Sequence, residues 1–395
     1  MSRDGEVVFK EFGLFENAVG SEDSVDPADS QHTDLENADS KNAVDTTKAY
    51  ENLRAVIIVE REKMKNEELF IVGRKSIVND MFNVYEDSNP DSTRFVFEFK
   101  NEDGSGDGVN RDAYTTFYNE IYELFEGNAE CIPTHKLDPP KLKTLGKIIT
   151  HGFLCHDVYP IKICQVSLKQ QLFGEDGVAE DDLIKSFHRF LPLSDSNLFK
   201  GLENGEDISK QSIIDVLSDA GIYEMPKKEN IRRLTIRAAH LQLIRKACFE
   251  MSKIVEGMGD FWIHMTPGSF DSIYLTTIPN SETFIQALEP EELCRGDMKV
   301  SLWLYRFVRS LEFEDLLNLV RFITGTHSLL PGDKIKVTFV NRPLNHLLPE
   351  SRMCFKILFL PRGFLNFTDF RRDMLKAIRN EELYTVSDNF NDLVS

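Results

Sequence analysis

Residues 342–361, RPLNHLLPESRMCFKILFLP, lead from a Pro-bounded polar loop straight into an apolar run. CFKILFLP (354–361) reads as a β-strand, and Cys354 stands where the loop enters it. A thiol at such a junction can face solvent while the strand behind it is anchored. Arg352 and Lys356 lie two residues to either side, and cationic neighbours favour the thiolate, the form that attacks. Free Cys is also a common core residue. This stretch alone therefore leaves a small buried side chain open beside a nucleophile.

Working outward, IKVTFV (335–340) alternates as a strand, and SLWLYRFVRSLEFEDLLNLVRFITG (301–325) gives two helical stretches. NFTDFRRDMLKAI (366–378) reads as a helix with Phe367, Phe370, Met374 and Ala377 facing inward. Further back, a long amphipathic stripe from Ile231 to Met258 ends at Gly257 and Gly259. LKTLGKIITHGFLCH (142–156) reads as a mostly buried helix, and Tyr114, Phe117, Tyr118, Ile121, Leu124 and Phe125 recur at helical spacing. RFVFEF (94–99) and AVIIVER (55–61) read as strands, and the acidic region 174–228 as loop-rich. A larger, mainly helical part followed by a small α+β part is the expected architecture. Pro279, Pro290 and Gly296 interrupt the pattern and place a hinge within 276–298.

Composition narrows the function classes. Of the 395 residues, 41% are hydrophobic and 28% charged, and the formal net charge is −19. That balance argues against nucleic acid, whose phosphates demand concentrated Lys and Arg, and against anionic membrane. No apolar run approaches the ~20 residues that span a bilayer. Six Cys (131, 155, 164, 248, 294 and 354) lack a Cys-x-x-Cys pair, which fits reduced thiols in a cytoplasmic or nuclear setting. Residues 1–50 hold twelve Asp/Glu against four Lys/Arg, a charge of −8, with few apolar side chains. They are expected to form a disordered acidic tail, with order beginning near Leu53.

Other constellations read as structural. The loop DGSGDG (103–108) lacks a Gly-Lys-Ser/Thr ending, so it is no phosphate cradle of the usual kind. Asp103, Ser105, Asp107 and Gly108 imitate a calcium loop, but its twelfth position is Tyr114 rather than a bidentate Glu. A tight surface turn is the reading. His151 and His156, flanking Cys155, are five apart and so point to different helix faces, unlike a pair sharing an ion. No cofactor or metal is called for.

The C-terminal third resembles the catalytic domain of HECT-type ubiquitin ligases. Arg321-Phe322-Ile323-Thr324-Gly325-Thr326 is similar to the family's F-x-T-G-T phrase. Leu348-Pro349-Glu350-Ser351-Arg352-Met353-Cys354-Phe355, followed by Leu358-Phe359-Leu360-Pro361, resembles its L-P-x-S-H-T-C-F and L-x-L-P phrases. Phe367, Leu375, Ala377 and Ile378 match its final helix. Upstream, Phe95, Phe97, Glu102, Gly104, Asp107, Gly108, Arg111 and Asp112 echo an N-terminal family phrase. Leu145-Gly146-Lys147 and Gln171-Leu172-Phe173-Gly174 resemble its helical core. The resemblance covers about residues 53–395.

It implies a bilobal α+β fold: residues 53–280 as an N-lobe that docks a ubiquitin-conjugating enzyme, and 281–395 as a hinged C-lobe. Cys354 would accept ubiquitin as a thioester and pass it to a lysine of a protein substrate. Arg352 and Lys356 would support the thiol, and Phe390 and Asp392 are candidates for the aromatic and acidic groups that close the transfer complex. Arg352-Met353 stands where the family has His-Thr, and the region 175–228 gives no motif for the docking surface. Those departures keep open a second reading, a catalytically weak scaffold that binds ubiquitin or a conjugating enzyme without transfer.

Overall fold

Strand β2 (Thr93–Phe99) buries Phe95, Phe97 and Phe99 at alternate positions and pairs in parallel with β1 (Asn66–Val72). The computed structural model describes residues 32–88, 90, 92–291, 295–343 and 347–379. The chain divides between Asp45 and Thr46. In the first unit, residues 32–45 are helical; the second unit, from Thr46 onward, holds all that follows.

Between β1 and β2 runs α2 (Ile77–Asp87), with Ile77, Met81, Phe82 and Tyr85 buried. Helices α3 (Asp107–Tyr122) and α4 (Pro139–His156) pack with it. Asp138 caps α4 by accepting from the Lys141 N–H, and two prolines open the helix where no intrahelical donor is needed. The stripe read from Ile231 to Met258 is helical throughout, as α9 (Ile231–Ala239), a π-helical segment at His240–Lys246, and α10 (Cys248–Met258). These elements share one aromatic-rich core in which Trp262 meets Phe153 stacked, Phe270 edge-on and Tyr159 tilted.

A second cluster of buried apolar side chains runs from Phe284 to Ile378. It is built on a four-stranded sheet in the order β5 (Leu288–Pro290), β6 (Ile335–Val340), β8 (Ile357–Pro361), β7 (Glu350–Arg352). The β5–β6 and β6–β8 pairs are parallel and β7–β8 antiparallel. Helices α13 (Arg295–Arg309), α14 (Phe313–Thr324) and α15 (Phe367–Arg379) contribute to the same cluster. On α14, Leu317 belongs to the first core, whereas Leu316, Leu319, Val320 and Ile323 belong to the second. The class is α+β.

Three local expectations are overturned. Ala55–Arg61 is not a strand but lies inside α1 (His32–Lys63). Tyr50, Leu53 and Ile57 fall on one helical stripe and are buried, leaving Val56, Ile58 and Val59 outside. Helical periodicity thus overrides the β-propensity of the Val/Ile run. Helical order accordingly begins well before Leu53, within the segment expected to be a tail; residues 1–31 lie outside the described residues. The third concerns 174–228, which holds helices α6 (Glu180–Phe190), α7 (Leu193–Asn204) and α8 (Gln211–Asp219). Its charges are solvated faces: α6 still buries Leu183, Ile184, Phe187 and Phe190.

Candidate active site

Strands β7 and β8 pair from Arg352 to Ile357, so Met353–Lys356 forms the connection at a hairpin tip. Met353–Phe355 is a single 3-10 turn, closed by Lys356 at φ +52° with its N–H directed to the Met353 carbonyl. The strand therefore starts three residues later than the sequence suggests, and Cys354 belongs to the turn. Its side chain is exposed, as is Phe355 at 72%. Behind them Leu358 and Leu360 are fully buried and hold β8 in the sheet. Ser351 adds a hydrogen bond from its hydroxyl to the Phe322 carbonyl.

Thiols elsewhere differ. Cys131, Cys155 and Cys164 are buried, and burial pushes each up, Cys155 to about 12, so they stay neutral and inert. Cys248, expected to be partly buried, is exposed; Cys294 lies outside the described residues.

The loop read as a surface turn lies under this thiol. The Cys354 sulfur is 3.6 Å from the Ser105 carbonyl oxygen. A Cβ on Gly108 would stand 2.6 Å from the Cys354 nitrogen and 2.8 Å from the Met353 carbonyl carbon. Gly106, at φ +102°, would put one 3.5 Å from the sulfur itself. Gly325, at φ +81°, makes the same close approach from the end of α14, where a Cβ would meet the Gly108 carbonyl oxygen at 2.5 Å. Backbone lies directly on backbone here, which only glycine permits.

The cation that bonds the turn comes from another element. Lys356 donates to Asp333 at 2.6 Å, and the Arg352 guanidinium lies over the Phe359 ring at 5.5 Å. Arg111, from the first turns of α3, instead donates from Nε to the Thr324 carbonyl at 2.7 Å and from Nη2 to the Met353 carbonyl at 2.9 Å. Burial works against its charge, while Asp107 and the Cys354 sulfur favour it. The next residue, Asp112, is fully buried and paired with Arg321 at 2.8 Å and Arg74 at 2.7 Å. Arg74 also holds Glu102 and stacks on Phe99 at 3.8 Å.

Of the five residues proposed for the site, Cys354 takes the expected exposed position. Arg352 and Lys356 flank it in sequence but have the other partners just named. Phe390 and Asp392 lie outside the described residues. Arg111, Gly106 and Gly108 were missed as site residues; their signal was the motif at 102–112, whose spatial partner cannot be read from a linear sequence. His151 and His156 are core residues whose Nε2 atoms meet the Thr93 and Phe95 carbonyls at 2.9 and 2.8 Å. Among the described residues, no helix is long and apolar enough to cross a membrane.

Two comparisons bear on this arrangement. No curated protein matches the chain. Residues 110–387 match the family model described as HECT-domain (ubiquitin-transferase), a span that runs from the Arg111 turn past Cys354. The chain belongs to the HECT-domain family.

Proposed function

We propose that this protein is a ubiquitin–protein transferase that carries ubiquitin on Cys354. The observation that supports it most is a single one. Within the family match, an exposed thiol stands at an anchored hairpin tip, while Cys131, Cys155 and Cys164 are buried. In the first step the Cys354 thiolate attacks the thioester carbonyl of a charged conjugating enzyme. A new C–S bond forms at Cys354, and the enzyme's own sulfur leaves as thiolate. In the second step a substrate lysine attacks as the free amine, the Cys354 sulfur leaves, and the amine proton passes to solvent. Thioester exchange is near-balanced in energy, so the protein's main task is proximity and orientation.

In this reading residues 53–280 dock the conjugating enzyme and 281–395 present the thiol, with the hinge at 278–280. Helix α12 (Ser281–Ala287) and β5 already belong to the second core, which favours that placement within the wider interval. Incubation with ubiquitin-charged conjugating enzyme tests the reading. A covalent adduct that disappears with thiol reductant, and is absent from Cys354→Ala, is the expected result. Binding of ubiquitin or conjugating enzyme with no reducible adduct would favour a non-transferring scaffold instead.

A further inference from the structure

We propose that Arg111 is a positioning residue for the Cys354 thiol. Its guanidinium fixes the turn that carries the sulfur to the end of α14. The proposal rests on the transferase reading for its catalytic consequence, though not for its geometry.

The two acceptors of Arg111 have different origins. The Thr324 carbonyl closes α14 just before Gly325, so it is one of the orphan acceptors that any helix leaves at its C-terminus. The Met353 carbonyl opens the turn holding Cys354 and belongs to no α-helix. One planar fork with two donors at fixed angles thus sets the distance between helix end and hairpin tip. A capping role alone would need the first contact and not the second.

The glycine loop completes the device. With a hydrogen at 108, the Cys354 backbone rests on the loop with no side chain between. Asp112, the neighbour of Arg111, grips Arg321 three residues before Thr324. Successive residues of α3 therefore hold α14 at a side chain and at a carbonyl. The sulfur is left exposed, over the Ser105 carbonyl, with the Arg111 guanidinium on the carbonyl of the preceding residue. Lysine would keep the charge but, as a compact point donor, could not span both carbonyls.

The test compares the full chain with Arg111→Ala and Arg111→Lys by three readouts. These are iodoacetamide labelling of Cys354 with Cys248 as internal reference, single-turnover transfer from charged conjugating enzyme at several concentrations, and melting midpoint. Arg111→Ala should lower maximal turnover on the order of 10²-fold, as loss of orientation does, with the half-saturating concentration unchanged. Its Cys354 labelling should change several-fold relative to Cys248, because the turn that holds the exposed sulfur in place is released. Arg111→Lys should recover less than about a tenth of turnover, since one ammonium cannot span both carbonyls. Turnover in Arg111→Ala equal to that of the unsubstituted chain would overturn the proposal. So would complete rescue by Lys, which would make charge sufficient, or losses that track the fraction unfolded. Should the unsubstituted chain transfer no ubiquitin, the transferase reading falls. The labelling ratio then decides the positioning claim, and an unchanged ratio in Arg111→Ala overturns it.

Discussion

Arg111 and Met353, 242 residues apart in sequence, are joined by a 2.9 Å hydrogen bond from the guanidinium to the carbonyl that precedes Cys354. The contact brings two motifs from opposite ends of the chain onto one surface, and the glycines beneath it allow no substituent.

Gly108→Ala should therefore destabilise the chain. Its Cβ would fall 2.6 Å from the Cys354 backbone nitrogen, a rigid neighbour, and overpacking of that kind costs about 1–3 kcal/mol. Gly268→Ala is the control, since it lies in a helix with open space around it, where Ala is preferred by about 0.5–1 kcal/mol. Melting midpoints should move in opposite directions, and equal midpoints would contradict the packing.

Asp112→Ala should cost more. The carboxylate is fully buried and pairs with both Arg321 and Arg74, and breaking a buried pair by removing one partner costs about 3–5 kcal/mol. Denaturant titration should show the midpoint fall sharply. A shift within error would mean that the pairs are solvated.

Burial lowers His151, to about 4, and also lowers His156 and His327. In the unfolded chain each titrates near ~6.5, so below that pH the unfolded state binds the extra proton. The stabilisation from neutral burial is thus complete above pH ~6.5 and lost as pH falls toward about 4, by about 3 kcal/mol for His151. His151 is ringed by Tyr85, Tyr114 and Cys155, with the Arg94 charge adding to the depression. Glu130, raised by its own burial, works the other way, but against four imidazoles, since burial lowers His188 as well. Urea midpoints at pH 7.5 and 5 should differ clearly in favour of pH 7.5, and equal midpoints would contradict the assignment.

Alkylation of the native chain under a limiting reagent should label Cys354 and Cys248 before Cys131, Cys155 or Cys164. Peptide mapping by mass spectrometry reads the order. Early modification of a buried thiol would show that the first core opens more readily than its packing implies.

Much of this architecture was legible in the residues. RFVFEF, IKVTFV and the helices at 110–122, 142–156 and 367–378 follow from period and caps, because their apolar side chains recur at strand or helix spacing. Ala55–Arg61 failed because four consecutive Val/Ile residues mimic a strand, while the burial of Tyr50, Leu53 and Ile57 is decided by what lies opposite. The thiol was found from its local context. The cation that holds its turn was not, because Arg111 reaches the Met353 carbonyl through a tertiary contact, and sequence proximity pointed to Arg352 and Lys356 instead. Lys356 is taken by Asp333, a pairing that linear spacing could not show.

The central claim is that ubiquitin is carried at position 354, and the Cys354→Ser protein tests it most directly. After incubation with charged conjugating enzyme, an oxyester should form that survives thiol reductant and yields to alkali. Tryptic digestion with tandem mass spectrometry should find the diglycine remnant at position 354. A remnant at position 248 or on any other residue, or a reducible adduct persisting in Cys354→Ala, would contradict the account.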